Sequence, residues 1–265
     1  NTTLIYDPEL NTWGDAASMQ VKRFAHSSVL LQDGRILVVG GTNFVDSTLD
    51  SAEIFDPATE TWSSAASLST PRQNTSASLL PDGRVLVAGG TNLDGDLDTV
   101  EIYDPVSSTW TAGPNLPAAR KEHGAAVLGD GRILLSGGEV AGAISDTAII
   151  FDPSSNTWTN AANLPLARYV LVSVPLADGR AEVTGGYDNV NFSPLATTWI
   201  YDPEADVWLP GVNMNSGRLG HAAALLPDGS VFVVGGSGNS GVMSDSESHS
   251  QDPRPSMPTV NLAPG

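Results

Sequence analysis

Asn92, Asp94, Asp96 and Asp98 set four oxygen donors at alternate positions around Gly95. That density of carboxylate and amide oxygen is what a hard cation such as Ca²⁺ prefers. The stretch lacks the glutamate and glycine positions of an EF-hand, and Asp50, Asp146 and Asp245 repeat the place of Asp98. A calcium site and a solvated acidic turn are the two readings of it. A second stretch, Tyr187-Asp188-Asn189-Val190-Asn191-Phe192-Ser193-Pro194, brings aromatic rings and amides together. Tyr187, Asn189, Asn191 and Phe192 suit stacking on a sugar or docking a peptide, with a self-packed loop as the alternative. Trp199, close by, stands where Glu53, Glu101 and Ile149 occur elsewhere and reads as core.

Arg23, Arg72, Arg120, Arg168 and Arg218 recur at a regular step. Gathered at one mouth of a channel, they would hold a carboxylate ligand, with Arg120, Arg168 and the neighbouring Tyr169 as candidate contacts. Pairing with internal carboxylates such as Glu53 and Glu101 is the plainer reading. His26, His123 and His221 share one position, three residues after an arginine, but Thr75 and Leu171 fill it elsewhere, which favours packing over metal ligation. Asp245, Glu247 and His249 alternate, so an extended strand would carry them on one face, as metal ligands or as a degraded strand. With no cysteine, thiolate sites and disulfides are excluded. No Ser-His-Asp set, zinc spacing or phosphate-cradling glycine loop stands out.

These residues sit on a repeat. Glycine pairs fall at Gly40-Gly41, Gly89-Gly90, Gly137-Gly138, Gly185-Gly186 and Gly235-Gly236, at steps of 48–50 residues. Trp13, Trp62, Trp110, Trp158 and Trp208 keep the same step, as do an aromatic-Asp-Pro triplet (Tyr6-Asp7-Pro8 is the first) and an Asp-Gly pair (Asp33-Gly34 is the first). A period of this length marks a repeat architecture. Each unit divides into four short strands. Phe24 to Leu31 forms strand a, Asp33-Gly34 a tight turn, and Ile36 to Val39 an apolar strand b. After a variable loop, Ala52 to Phe55 forms strand c, Asp56-Pro57 opens a turn, and strand d centres on Trp62.

The combination resembles the kelch repeat, which builds the blades of kelch-domain proteins and of the galactose oxidase catalytic domain. The resemblance covers residues 1–253 and implies an all-β, five-bladed kelch-type β-propeller with four antiparallel strands per blade. It also implies that Tyr103 and Trp110 pack within their blade. The copper of galactose oxidase is held beside a Tyr–Cys crosslink, which this cysteine-free chain cannot form. The fifth unit has no good c–d pair downstream, whereas Leu4-Ile5-Tyr6 and Trp13 open the chain as just such a pair. The expectation is closure by these N-terminal strands, joined to the blade that contains Val231 to Gly236. Residues 254–265 are expected to form a Pro-rich tail or linker, toward a neighbouring module or self-assembly.

The net charge of −18 opposes nucleic acid and anionic membranes. An acidic, Gly-rich, lysine-poor chain that starts without Met is expected to be secreted or at the cell surface. Alternate turns of a meander lie together, so the b–c loops and the starts of the a strands share one end. Recognition of a glycan or protein ligand there, without catalysis, is the leading expectation. A carbohydrate-active enzyme of mutarotase or lyase type at the channel mouth is the alternative, and a structural self-assembling propeller a weaker one.

Overall fold

The computed structural model describes residues 2–250 except 8, 9, 11, 46 and 189; the expected tail lies outside the described residues. An N-terminal hairpin, β1 (Thr3–Asp7) with β2 (Thr12–Ala16), precedes five antiparallel sheets. Sheet 1 is β3 (Ser27–Leu30), β4 (Ile36–Val39), β5 (Ala52–Asp56) and β6 (Thr61–Ala65). Sheet 2 is β7 (Ser76–Leu79), β8 (Val85–Ala88), β9 (Val100–Asp104) and β10 (Thr109–Ala112). Sheet 3 is β11 (Gly124–Val127), β12 (Ile133–Ser136), β13 (Ala148–Asp152) and β14 (Thr157–Ala161). Sheet 4 is β15 (Val172–Pro175), β16 (Ala181–Thr184), β17 (Thr198–Asp202) and β18 (Val207–Pro210). Sheet 5 has three strands, β19 (Ala222–Leu225), β20 (Ser230–Val234) and β21 (Ser246–Ser250). No helix occurs among the described residues.

Turn chemistry sets each meander. Gly34 adopts φ +86°, and the Asp33 carboxylate accepts from both the backbone N–H and the Nε of Arg35, which closes the a–b turn. At the c–d turn Asp56 accepts from the Ala58 N–H, and Asp104 and Asp152 repeat the bond. Strands β4, β8, β12 and β16 are buried almost throughout, because a sheet covers each face. Leu37 and Val39 of sheet 1 pack with Val85, Val87 and Tyr103 of sheet 2, and Leu134 of sheet 3 with Tyr201 of sheet 4. Within each sheet the repeated aromatic and tryptophan lie side by side, 4.9 Å apart for Tyr103–Trp110 and 5.1 Å for Phe55–Trp62. The indole N–H then reaches the preceding unit: Trp110 donates to Ala66 O, Trp158 to Pro114 O and Trp208 to Ala162 O. Burying each such ring is worth about 1.5–3 kcal/mol.

The arginines complete the joints. Arg72 is fully buried and donates to Gly89 O (2.8 Å), Thr99 O (3.0 Å), Thr99 Oγ1 (3.2 Å) and Glu101 Oε1 (2.9 Å), all within its own sheet. Its backbone instead grips the sheet before, taking a bond from Gly41 N and giving one to Leu49 O. A Cβ on Gly40 would strike that arginine's carbonyl oxygen, so the first glycine of the pair is required by close approach. Arg23, Arg120, Arg168 and Arg218 repeat the side-chain pattern.

One expectation is corrected. The third strand of sheet 5 is β21, with Val231 opposite His249 and Val233 opposite Glu247. Strand β1 therefore does not join this sheet; among the described residues it pairs with β2 alone. The reason lies in polar side-chain contacts: Arg218 reaches Glu247 (2.8 Å) and Asp245 (3.4 Å), and His249 Nε2 lies within hydrogen-bond distance, 2.8 Å, of Glu182 of sheet 4, which holds a strand without apolar residues in place. The N-terminal hairpin lies beyond sheet 5 instead. Tyr6 stacks on Phe232 at 5.3 Å, and Trp62 of sheet 1 donates to Ala17 O just after β2.

His123 and His221 are buried between sheets, and the Nε2 of His123 lies 2.9 Å from Ser76 Oγ. Burial, reinforced by Arg120 and Arg218, lowers their pKa values to about 3 and about 4. An unfolded histidine protonates near pH 6.5, so over this interval the native state binds fewer protons than the unfolded one. The stability due to the neutral rings is complete above about pH 6.5 and is lost as pH falls toward these folded values. The melting temperature should drop between pH 7 and 4.5, with a shallower slope in His123→Gln; equal slopes in the two proteins would contradict this placement.

Candidate functional site

The residue after each arginine pairs with the residue after each glycine pair: Phe24 with Thr42, Gln73 with Thr91, Lys121 with Glu139, Tyr169 with Tyr187, and Leu219 with Ser237. The b–c loops and the starts of the a strands therefore meet at one end. The next residue in each unit has a positive φ: Ala25, Asn74, Glu122, Val170 and Gly220. These residues form a chain of hydrogen bonds from sheet to sheet, Asn74 N to Ala25 O, Glu122 N to Asn74 O, Val170 N to Glu122 O and Gly220 N to Val170 O.

Sheets 2 to 4 break the symmetry at this end. Lys121 Nζ lies 3.0 Å from Asp96 Oδ1 and 3.2 Å from Glu139 Oε1. Burial disfavours its ammonium, but the bonds to Asp96 and Glu139 outweigh that and raise its pKa. Beside it, Glu122 accepts from Asn74 Nδ2 at 3.0 Å. Burial pushes the Glu122 carboxyl above its ordinary range; Lys121 opposes the shift, while Glu139 and Asp96 add to it. Tyr169 meets Tyr187 edge-on at 5.7 Å, and its phenol is raised by burial, then by Glu122. A carboxyl whose pKa burial raises, an ammonium and two phenols thus share one rim. Around them the loop tips expose Phe44, Leu93, Phe192 and Val242.

The residues expected from sequence divide clearly. Tyr169 and Tyr187 come together in this rim, and Phe192 stands exposed at its edge with φ +52°. Asn191 is exposed and turned back, its backbone and side-chain N–H groups both donating to the buried Asp188. Asn189 lies outside the described residues. Arg120 and Arg168 are buried, and carbonyl and hydroxyl oxygens of their own sheets take their guanidinium N–H groups. Arg23 and Arg72 pair with Glu53 and Glu101 as the plainer reading held. Asn92, Asp94, Asp96 and Asp98 are not drawn around one point: Asp96 is engaged by Lys121, and the Asn92 side chain accepts from the Asp94 N–H. No group of three or more His, Cys, Asp or Glu among the described residues is placed to hold a metal. Asn74 and Glu122, which join this rim through their hydrogen bond, were not among the residues expected there. Their signal was a side chain departing from its repeat position, as Glu122 does where other units carry Ala25, Val170 and Gly220.

The opposite end carries a cleft lined by Arg132, Asp178, Arg180 and Glu204. Its cations are closed onto their own turns, Arg132 on Asp130 and Arg180 on Asp178, which leaves little for a ligand to gain.

Four-stranded meanders stacked face to face through these joints define a kelch-repeat, β-propeller-like protein. The chain belongs to the kelch-repeat family: residues 1–173 match the KLHDC2/KLHL20/DRC7 Kelch-repeats domain. It is also similar in fold to the solved structure of YjhT, with a TM-score of 0.78 at 15% identity, over 92% of this chain and 86% of that one. No curated protein matches it.

Removing the Lys121 charge takes away the attraction that lowers the Glu122 pKa and frees two carboxylates that raise it. Lys121→Met should therefore move the Glu122 carboxyl further up in a carbon-detected NMR titration. A downward shift would show that the two side chains do not share this rim.

Proposed function

We propose that this protein is a non-enzymatic recognition propeller that binds a glycan or protein ligand at the b–c loop end of sheets 2 to 4. The sheets are read as successive blades, and this end as the mouth of their channel. The observation that carries the reading is the asymmetry between the two ends. Exposed Phe44, Leu93 and Phe192 surround Asn74, Lys121, Glu122, Tyr169 and Tyr187 at one end, while the other repeats closed Asp–Arg turns. Exposed rings beside convergent polar groups suit a sugar face or a peptide. The net charge of −18 directs recognition away from polyanions. A secreted or cell-surface setting is part of the same proposal.

One observation favours a second reading, a carbohydrate-active enzyme. Glu122, raised by burial and close enough to Tyr169 to raise its phenol, has the character of a general acid–base pair. Turnover of a screened sugar, abolished in Glu122→Gln, would select the enzyme.

Glycan and peptide arrays supply the ligand for the test. Tyr187→Ala/Phe192→Ala should weaken binding by about 1–3 kcal/mol with little change in melting temperature. Lengthening the Asp130-Gly131 turn should leave binding unchanged. The reverse pattern would move the binding face to the other end.

A further inference from the structure

We propose that Glu182 and His249 form a one-proton latch, which makes the joint between sheets 4 and 5 the place where this molecule opens as pH changes. The proposal does not depend on the ligand proposed above.

The other joints show what has been replaced here. The second residue of each strand b packs with the aromatic of strand c in the sheet that follows. Leu37 packs with Tyr103 between sheets 1 and 2, Leu86 with Phe151 between sheets 2 and 3, and Leu134 with Tyr201 between sheets 3 and 4. Phe232 of sheet 5 stacks in the same way on Tyr6 of the N-terminal hairpin. Between sheets 4 and 5 both members of the contact change together. Glu182 lies opposite Ile200 as Leu134 lies opposite Ile150, and His249 opposite Val231 as Tyr201 lies opposite Ala181. A carboxylate thus stands for the leucine and an imidazole for the aromatic ring. The two meet at 2.8 Å, His249 Nε2 to Glu182 Oε1, with side chains 8% and 0% exposed.

Burial makes this contact sensitive to the number of protons it holds. Val174, opposite Glu182, and Val231, opposite His249, belong to one apolar cluster with Val233 and Met214. With one proton on the ring beyond its neutral form, imidazolium and carboxylate attract each other through a charge-assisted hydrogen bond. Taking that proton away withdraws the positive charge that the carboxylate faces. Adding a further proton, to the carboxylate, withdraws the negative charge that the imidazolium faces. The ring then has no second acceptor, since His249 Nδ1 is buried without a hydrogen-bond partner. Removing one charge of a buried pair destabilises far more than the same change at a surface. The joint is therefore strongest with one shared proton and weakens on either side. A leucine–aromatic contact has no such dependence.

The remaining titratable groups on the elements packed here stand outside the contact. Tyr201 of β17 packs toward sheet 3 and donates to Asp206, and Asp202 accepts from Glu204 N at the c–d turn. Glu247 and Asp245 are engaged by Arg218, and His221 lies against Gly185 ahead of β19.

Release of β21 would reach the b–c loop end through Arg218. Its guanidinium takes Glu247 and Asp245 as acceptors, while its carbonyl accepts from Gly186 N and its N–H donates to Leu195 O. The same residue thus binds β21 and docks sheet 5 on sheet 4, next to Tyr187. A strand without apolar residues that is held by such contacts is the segment that opens first.

The test follows hydrogen exchange of β21 in the full protein, as protection relative to β17, from about pH 4 to 9, which spans the ordinary titrations of glutamate and histidine. The relative protection of β21 should peak within this range and fall about tenfold or more toward each end. Glu182→Leu/His249→Phe, which restores what the other joints carry, should remove both falls. Glu182→Gln keeps an acceptor but no charge, so only a protonated ring is disfavoured there. In that protein the alkaline fall should disappear and the acid one remain. His123 and His221 are common to all three proteins, so their titrations cancel from the comparison. Protection of β21 that keeps level with β17 in the parent protein would overturn the proposal, as would an alkaline fall that persists in Glu182→Gln.

Discussion

Each joint in this molecule turns on a backbone carbonyl that must approach a glycine more closely than any side chain allows. The arginine that begins a sheet presents that carbonyl to the glycine pair of the sheet before. Its side chain meanwhile draws together strands b and c of its own sheet. One residue thus locks a sheet internally and docks it externally. Taking a guanidinium out of water costs several kcal/mol, and the bonds hold that charge only while all its acceptors stay in place. Loss of a single acceptor strand would therefore destabilise both the sheet and its neighbour. This coupling explains why arginine, glycine pair and strand c travel together through the repeat.

The joints tolerate one kind of variation. Arg23 and Arg72 have a carboxylate partner, but Arg120 and Arg168 face Ile149 and Trp199 at that register position. Burial lowers both of those guanidiniums to about 10, still charged at neutral pH, so carbonyl and hydroxyl acceptors suffice. Variation of another kind collects at the rim, where the joint makes no demand on a side chain. Gln73, Lys121 and Tyr169 share one backbone role and differ entirely in chemistry. A rigid, repeated frame with a freely varied rim is how one fold comes to hold unrelated ligands.

Much of this was legible in the residues. The Asp-Gly and Asp-Pro turns, the apolar b strands and the aromatic–tryptophan pairs all lie where the repeat places them, because each follows from local conformational rules or continuous burial. Strand β21 was legible only as a degraded strand, from the alternation of Asp245, Glu247 and His249, and not as the third strand of sheet 5. Ser246–Ser250 has no apolar residue, so hydrophobic pattern could not pair it with β20, and its side-chain partners are Arg218 of its own sheet and Glu182 of sheet 4. The signal for its place in sheet 5 was Glu247, twelve residues after Gly235 as Glu101 is after Gly89. The buried arginines were read two ways because a recurrent cation looks the same in sequence whether it faces a ligand or a carbonyl. Glu122 and Asn74 escaped notice because their contact joins two different sheets, and only the sheet-to-sheet chain of positive-φ residues brings them together.

Native-state hydrogen exchange of the second glycine in each pair tests the joint most directly. The amides of Gly41, Gly90, Gly138 and Gly186 donate to an arginine carbonyl of the following sheet, whereas that of Gly236 has no such acceptor among the described residues. The four should exchange only through large-scale opening, at least about a hundredfold more slowly than Gly236. Five amides exchanging at the same rate would show that the arginine–glycine contact does not hold the sheets together.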